Sequence, residues 1–114
     1  MAMWRIEYYE SNNKKESPVK DFIESLNINI QAKLAHTLDL LEEFGTNLGL
    51  PHVKKLKASK LWELRVLGKD NIRVLYIAFE VKTFLLLHGF VKKKQKTDDK
   101  EISIALKRLD EYRR

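Results

Sequence analysis

Three apolar segments of strand length follow one another between Leu61 and Lys94, and they restrict the chain to folds built on a small antiparallel sheet. They are Leu61-Trp62-Glu63-Leu64-Arg65-Val66-Leu67, Ile72-Arg73-Val74-Leu75-Tyr76-Ile77-Ala78-Phe79 and Phe84-Leu85-Leu86-Leu87-His88-Gly89-Phe90-Val91. Each is rich in β-branched and aromatic residues, and the linkers Gly68-Lys69-Asp70-Asn71 and Glu80-Val81-Lys82 are turn length. The spacing predicts a three-stranded antiparallel meander. The first two segments each hold one arginine, and the third runs into Lys92-Lys93-Lys94. A cation inside an apolar strand is costly unless it meets solvent or an anion, so the strands raise the question of which anion they face.

Around this meander, periodicity and caps supply the other elements. Met3 to Tyr9 alternates as an opening strand, with Trp4, Ile6 and Tyr8 on one face, and Ser11 to Lys15 is a polar loop. Ser17-Pro18 starts a helix whose stripe is Val19, Phe22, Ile23 and Leu26; Asn27 ends it and caps the next. The second helix has the stripe Ile30, Leu34, Leu38, Leu41 and Phe44, and stops at Gly45. Val53 to Lys57 reads as a short edge strand whose lysines discourage unwanted pairing. Lys92 to Lys96 is a basic linker. Asp98 and Glu101 then form a capping box for a closing helix with Ile102, Ala105, Leu106, Leu109 and Tyr112 as its stripe.

The expected architecture is therefore a single α+β domain over residues 1–114, in the order β-α-α-β-β-β-β-α, with a helical hairpin on one face of the sheet. The other face, where the cations project, is expected to be free to bind.

Charge distribution narrows the partner. Residues 1–49 hold five Lys or Arg against eight Asp or Glu, whereas residues 50–96 hold twelve against three. Such a basic block points to a polyanion, most simply nucleic acid, or to an acidic protein; a solvated lysine face is the plainer alternative. Without cysteine, thiol nucleophiles and cysteine metal sites are excluded. His36 and His52 have no spacing that suggests a metal site. No apolar run has the length of a membrane span and Met1 to Ser11 is not built as a signal peptide, so a cytoplasmic protein is expected.

Four motifs in order, Leu61-Trp62-Glu63-Leu64-Arg65, Ile72-Arg73-Val74-Leu75-Tyr76, His88-Gly89-Phe90-Val91-Lys92-Lys93 and Glu101-Ile102 with Ala105 and Arg108, carry a resemblance over nearly the whole chain. The chain resembles the RelE/ParE superfamily of type II toxin–antitoxin toxins, and more closely its HigB-like, often phage-encoded branch. The resemblance implies a RelE-like fold and a ribosome-dependent endoribonuclease that cuts messenger RNA and inhibits translation. It implies no metal and no organic cofactor, and a HigA-like helix-turn-helix antitoxin as partner beside the ribosome and mRNA. Carried over by motif, the catalytic residues fall on Arg65, Arg73 and Lys92 or Lys93. Many RelE relatives place a tyrosine shortly after the last basic group; Lys94-Gln95-Lys96-Thr97 has none.

The chemistry fits those residue types. Cleavage by the neighbouring 2′-hydroxyl requires that its proton be removed, that charge on the phosphate be stabilised and that the leaving 5′-oxygen be protonated. Arg65 and Arg73 suit the phosphate, because a guanidinium stays charged and can bind two oxygens at once. Lys92 and Lys93, crowded by Lys94, suit proton transfer if neighbouring cations lower a pKa. The two arginines share a sheet face only if an odd-numbered loop joins their strands, three or five residues, whereas four would separate them. The plainer alternative for each is a partner of a helix carboxylate such as Glu42 or Glu43.

His88 is a further acid/base candidate, although alternation groups it with Phe84, Leu86 and Phe90, which would make it core. Glu63 alternates with Arg65 and could orient it; the plainer reading is a solvated strand residue. Lys54, Lys55, Lys57, Lys60, Lys94 and Lys96 suit RNA-backbone contacts, and Tyr76 suits stacking on an unpaired base, while Trp62 reads as core. Two other functions share these features: a ParE-like inhibitor of DNA gyrase without nuclease activity, and a non-catalytic RNA- or ribosome-binding module.

Overall fold

The computed structural model describes residues 3–12, 16–57 and 59–112; Asn13 to Lys15 of the expected polar loop lie outside them. Its elements are β1 (Arg5–Tyr8), α1 (Pro18–Ser25), α2 (Ile28–Phe44), β2 (Val53–Lys55), β3 (Trp62–Val66), β4 (Ile72–Ala78), β5 (Thr83–Val91) and α3 (Asp99–Tyr112), with one 3-10 turn at Gly45–Asn47. The strands form one sheet in the order β1-β5-β4-β3-β2. The meander is antiparallel as its short turns require, and β5 runs parallel to β1, beside which it returns. Among the described residues no helix is long and apolar enough to cross a membrane.

Local chemistry sets the boundaries. The Ser17 hydroxyl accepts the Lys20 amide at 3.2 Å with proline in the first helical turn, and the Asn27 side-chain Oδ1 accepts the Ile30 amide at 3.0 Å. These caps satisfy amides that neither helix could satisfy internally. Gly45 ends α2 at φ +56, where a side chain would also collide with the Trp4 ring. In α3 the capping box forms only in part. Asp98 accepts the Lys100 amide at 3.2 Å, but the Glu101 carboxylate turns to His88 instead.

Pairing decides which side chains share a face. Trp62, Leu64 and Val66 stand opposite Tyr76, Val74 and Ile72, and Val74 stands opposite Gly89. This face takes the helical hairpin; a Cβ on Gly89 would overlap the Phe22 ring of α1, so the missing side chain is what lets α1 approach. The core takes in this face with Leu34, Leu38 and Leu41 of α2, and continues through the sheet to Leu75, Leu85, Leu87 and Phe90 beneath Ala105 and Leu109 of α3.

The opposite face, built from Glu63, Arg65, Arg73, Leu75, His88 and Phe90, is not free as expected. Helix α3 packs on it through Ala105 and Leu109, covering β5 and part of β4, and leaves the end of β3 and β4 that carries Arg65 and Arg73 partly exposed. Two stripe residues are therefore surplus: Phe44 and Leu106 are exposed, because each stripe is longer than the sheet surface that receives it.

Candidate functional site

The partly exposed end of that face gathers the cations. Strands β3 and β4 are joined by five residues, Leu67 to Asn71, and this odd count places Arg65 directly opposite Arg73. Two like charges across a ladder repel, so their pairing requires an anion nearby. Glu63, two residues before Arg65 on the same face, is that anion. Its Oε1 lies 3.5 Å from Arg65 Nε, 3.5 Å from Arg73 Nε and 3.8 Å from Lys92 Nζ. Its other oxygen accepts a hydrogen bond from the Thr97 hydroxyl, which folds the basic linker back onto the strand.

Glu63 is thus not a solvated strand residue; it is fully buried. The helix carboxylates Glu42 and Glu43 are not the partners of either arginine; a strand carboxylate is. At 3.5 Å neither Nε closes a directional hydrogen bond on Oε1, so the attraction is Coulombic. Three cations against one carboxylate leave the cluster two charges positive, with the side chains of Arg65, Arg73 and Lys92 still 25%, 14% and 13% exposed. A second anion is what such a cluster lacks.

Lys92 is fixed by its backbone as well as its charge. Its amide donates to the Asn71 carbonyl at 2.8 Å, extending the β4–β5 ladder by one rung. Burial pushes the Lys92 ammonium below the usual lysine range; Glu63 opposes that, while Arg73, Arg65 and Lys54 add to it. Arg73 is lowered by burial too, and Glu63 opposes the shift. As a guanidinium it nonetheless stays charged. Its Nη1 donates to the Ile72 carbonyl at 3.0 Å.

Of the three clefts that Lys92 lines among the described residues, two border the cluster. One, of about 380 Å³, is lined by Asn71, Arg73, Lys92, Lys93, Lys94 and Gln95. The other, of about 430 Å³, is lined by Lys54 to Lys57, Glu63, Lys92, Gln95, Lys96, Thr97 and Ile102. Lys54, Lys57 and Lys96 therefore surround the cluster. Lys94 is tied to Asp98 at 3.6 Å, and Lys55 donates to the Ser59 and Leu56 carbonyls. Lys60 is exposed and lines neither cleft.

Tyr76 is 3% exposed on the opposite face, edge-on to Phe84, so its ring is closed to a stacking base. Sequence reasoning missed Thr97, Asn71 and Gln95, which have no charge or periodicity to mark them. Glu63 did have a signal: it shares alternation with Arg65.

His88 departs from its expected grouping. A bulge at Leu87 puts Leu75 opposite His88 but Tyr76 opposite Leu86, so His88 leaves the face of Phe84 and Leu86 for that of α3. Arg108 Nη1 lies 3.3 Å from His88 Nδ1 and can only donate; Nδ1 therefore accepts, and the Nε2 proton goes to Glu101 at 2.9 Å. Burial holds the imidazole below its ordinary pKa, with Glu101 opposing and Arg108 assisting. A histidine buried neutral stabilises the fold fully above its unfolded pKa of about 6.5, and that contribution is lost as pH falls through the lower folded value. In thermal melts across this range, His88→Gln is expected to flatten the loss of stability on acidification; an unchanged slope would show that His88 does not titrate with folding.

A family model described as phage-derived protein Gp49-like (DUF891) matches residues 21–110, from α1 to within α3. The chain belongs to the Gp49-like family. The match spans every residue of the cationic cluster and both clefts. No curated protein matches the chain. In this Gp49-like chain no three of His, Asp and Glu are grouped as metal ligands among the described residues.

Proposed function

We propose that this Gp49-like protein is the toxin of a type II toxin–antitoxin system, a ribosome-dependent, metal-independent endoribonuclease acting on messenger RNA in the cytoplasm. The observation that carries the reading is the convergence of Arg65, Arg73 and Lys92 on one buried carboxylate beside an open cleft. Supporting it are the α+β architecture, of the RelE-like kind, and a family grouped with RelE- and HigB-like toxins.

The chemistry uses the cluster as a phosphate cradle. The 2′-oxygen attacks the adjacent phosphorus, forming one P–O bond while the bond to the 5′-oxygen breaks, and its proton passes to water in the open cleft. Arg73 and Arg65 bind the phosphate oxygens as charge builds on them. The Lys92 ammonium, made more acidic by burial and by its cationic neighbours, gives its proton to the leaving 5′-oxygen. Lys93 and Lys94 line the same cleft and hold the backbone, with Lys54, Lys57 and Lys96 beyond Lys92. A helix-turn-helix antitoxin completes the system by holding the toxin inactive.

The experiment is induced expression with messenger 5′ ends mapped on translated and untranslated copies of one transcript. New ends confined to the translated copy are expected. Growth arrest without new ends would overturn the nuclease reading and favour a gyrase inhibitor.

A further inference from the structure

Glu63 is the buried titratable group that phosphate chemistry does not call for. An acid placed inside an RNA-binding cluster repels the substrate, and this carboxylate, its side chain 1% exposed, already faces Arg65, Arg73, Lys92 and Thr97. Its contacts suggest a different duty. Both arginines turn Nε, the inner nitrogen of the guanidinium, toward Oε1, and Lys92 approaches the same oxygen. Because a guanidinium is planar, an Nε held toward Glu63 restricts the direction in which the two Nη groups extend, and Arg73 Nη1 is held further by the Ile72 carbonyl at 3.0 Å.

We propose that Glu63 is the positioning residue of the site: it holds Arg65 and Arg73 side by side against their repulsion and keeps the Lys92 ammonium charged and aimed along the cleft. The proposal rests on the nuclease reading for its consequence in catalysis, but not for its consequence at Lys92. Thr97 belongs to the same device. Its hydroxyl occupies the second carboxylate oxygen and so ties the linker that carries Lys92 to the strand that carries Arg65. Removing the Glu63 charge leaves three cations facing one another with nothing between them. The arginines then splay, and Lys92 gives up its proton more readily.

The test combines Glu63→Gln, which keeps the shape and a Thr97 acceptor, with Glu63→Asp, which keeps the charge but draws it back by one methylene. Titration of the lysine side chains followed by 13C NMR on the isolated protein, with Lys92→Arg to assign the signal, is expected to show Lys92 releasing its proton at lower pH in Glu63→Gln. Glu63→Asp, which retains charge balance and so the better chance of folding, is expected to move in the same direction by less. Messenger cleavage at neutral pH is expected to fall by about 10²-fold in Glu63→Gln, the usual scale for misplaced catalytic groups, with its pH profile displaced to lower pH.

Unchanged Lys92 titration in a folded Glu63→Gln or Glu63→Asp variant would overturn the proposal, whether or not the wild type cuts RNA. A displaced titration in a wild-type background that cuts no messenger would sustain the positioning role and overturn the nuclease reading instead.

Discussion

Arg73→Ala is expected to slow messenger cleavage by about 10²- to 10³-fold, the loss found when one preorganised donor to a developing oxyanion is removed. The expectation follows from where the side chain sits. Arg73 lines the cleft of about 380 Å³, stands directly across the ladder from Arg65, and is held by Glu63 on one side and by the Ile72 carbonyl on the other. That anchoring is the preorganisation which makes a donor effective in a partly desolvated site. Stability should change little or rise, since the substitution removes one of two opposed guanidiniums and leaves Glu63 with Arg65 and Lys92. Arg73→Lys keeps the charge and loses the planar fork, so it should recover only part of the rate. Single-turnover cleavage on programmed ribosomes, beside a ribosome-binding measurement, separates the readings. Cleavage lost with binding retained places Arg73 at the reacting phosphate. Parallel loss of both would instead describe a binding module.

Much of this arrangement was legible because it depends on local rules. Ser17, Asn27 and Gly45 begin and end helices for reasons that one residue and its neighbours contain, and three strands joined by turn-length linkers have only an antiparallel solution. Even the arginine pair was within reach, since loop parity decides whether Arg65 and Arg73 share a face. The placement of α3 was not. An amphipathic stripe says that a helix must be covered, not which side of a sheet covers it, and here the third helix took the face that the cations also occupy.

The bulge at Leu87 was equally hidden, because one extra residue in β5 looks like any other leucine yet reverses the face of His88. Glu63 was misjudged for a related reason. Glutamate is rarely buried without partners, and its partners come from β3, β4 and the end of β5, which meet only once the sheet has formed.

Lys92 and Lys93 were equivalent by motif, and the structure separates them. Lys92→Ala is expected to lower cleavage by about 10²-fold or more, the range for loss of a positioned proton-transfer group. Lys93→Ala should have a much smaller effect. The two side chains leave the end of β5 in different settings: Lys92 is 13% exposed and 3.8 Å from the Glu63 carboxylate, whereas Lys93 is exposed and has no such anchor. Only Lys92 combines burial with three neighbouring cations, Arg73, Arg65 and Lys54, to make its ammonium a better acid. Lys93 keeps the role of a screened charge near the backbone, so its loss should chiefly reduce the salt dependence of binding, by about one charge's worth of slope. Lys92→Arg provides the sharper comparison, because it preserves the charge beside Glu63 while replacing an ammonium made more acidic by burial with a guanidinium that keeps its proton. If Lys92→Arg cuts as fast as wild type, Lys92 serves only as a charge and the proton for the 5′-oxygen comes from solvent; if it is as slow as Lys92→Ala, proton transfer is the property that matters.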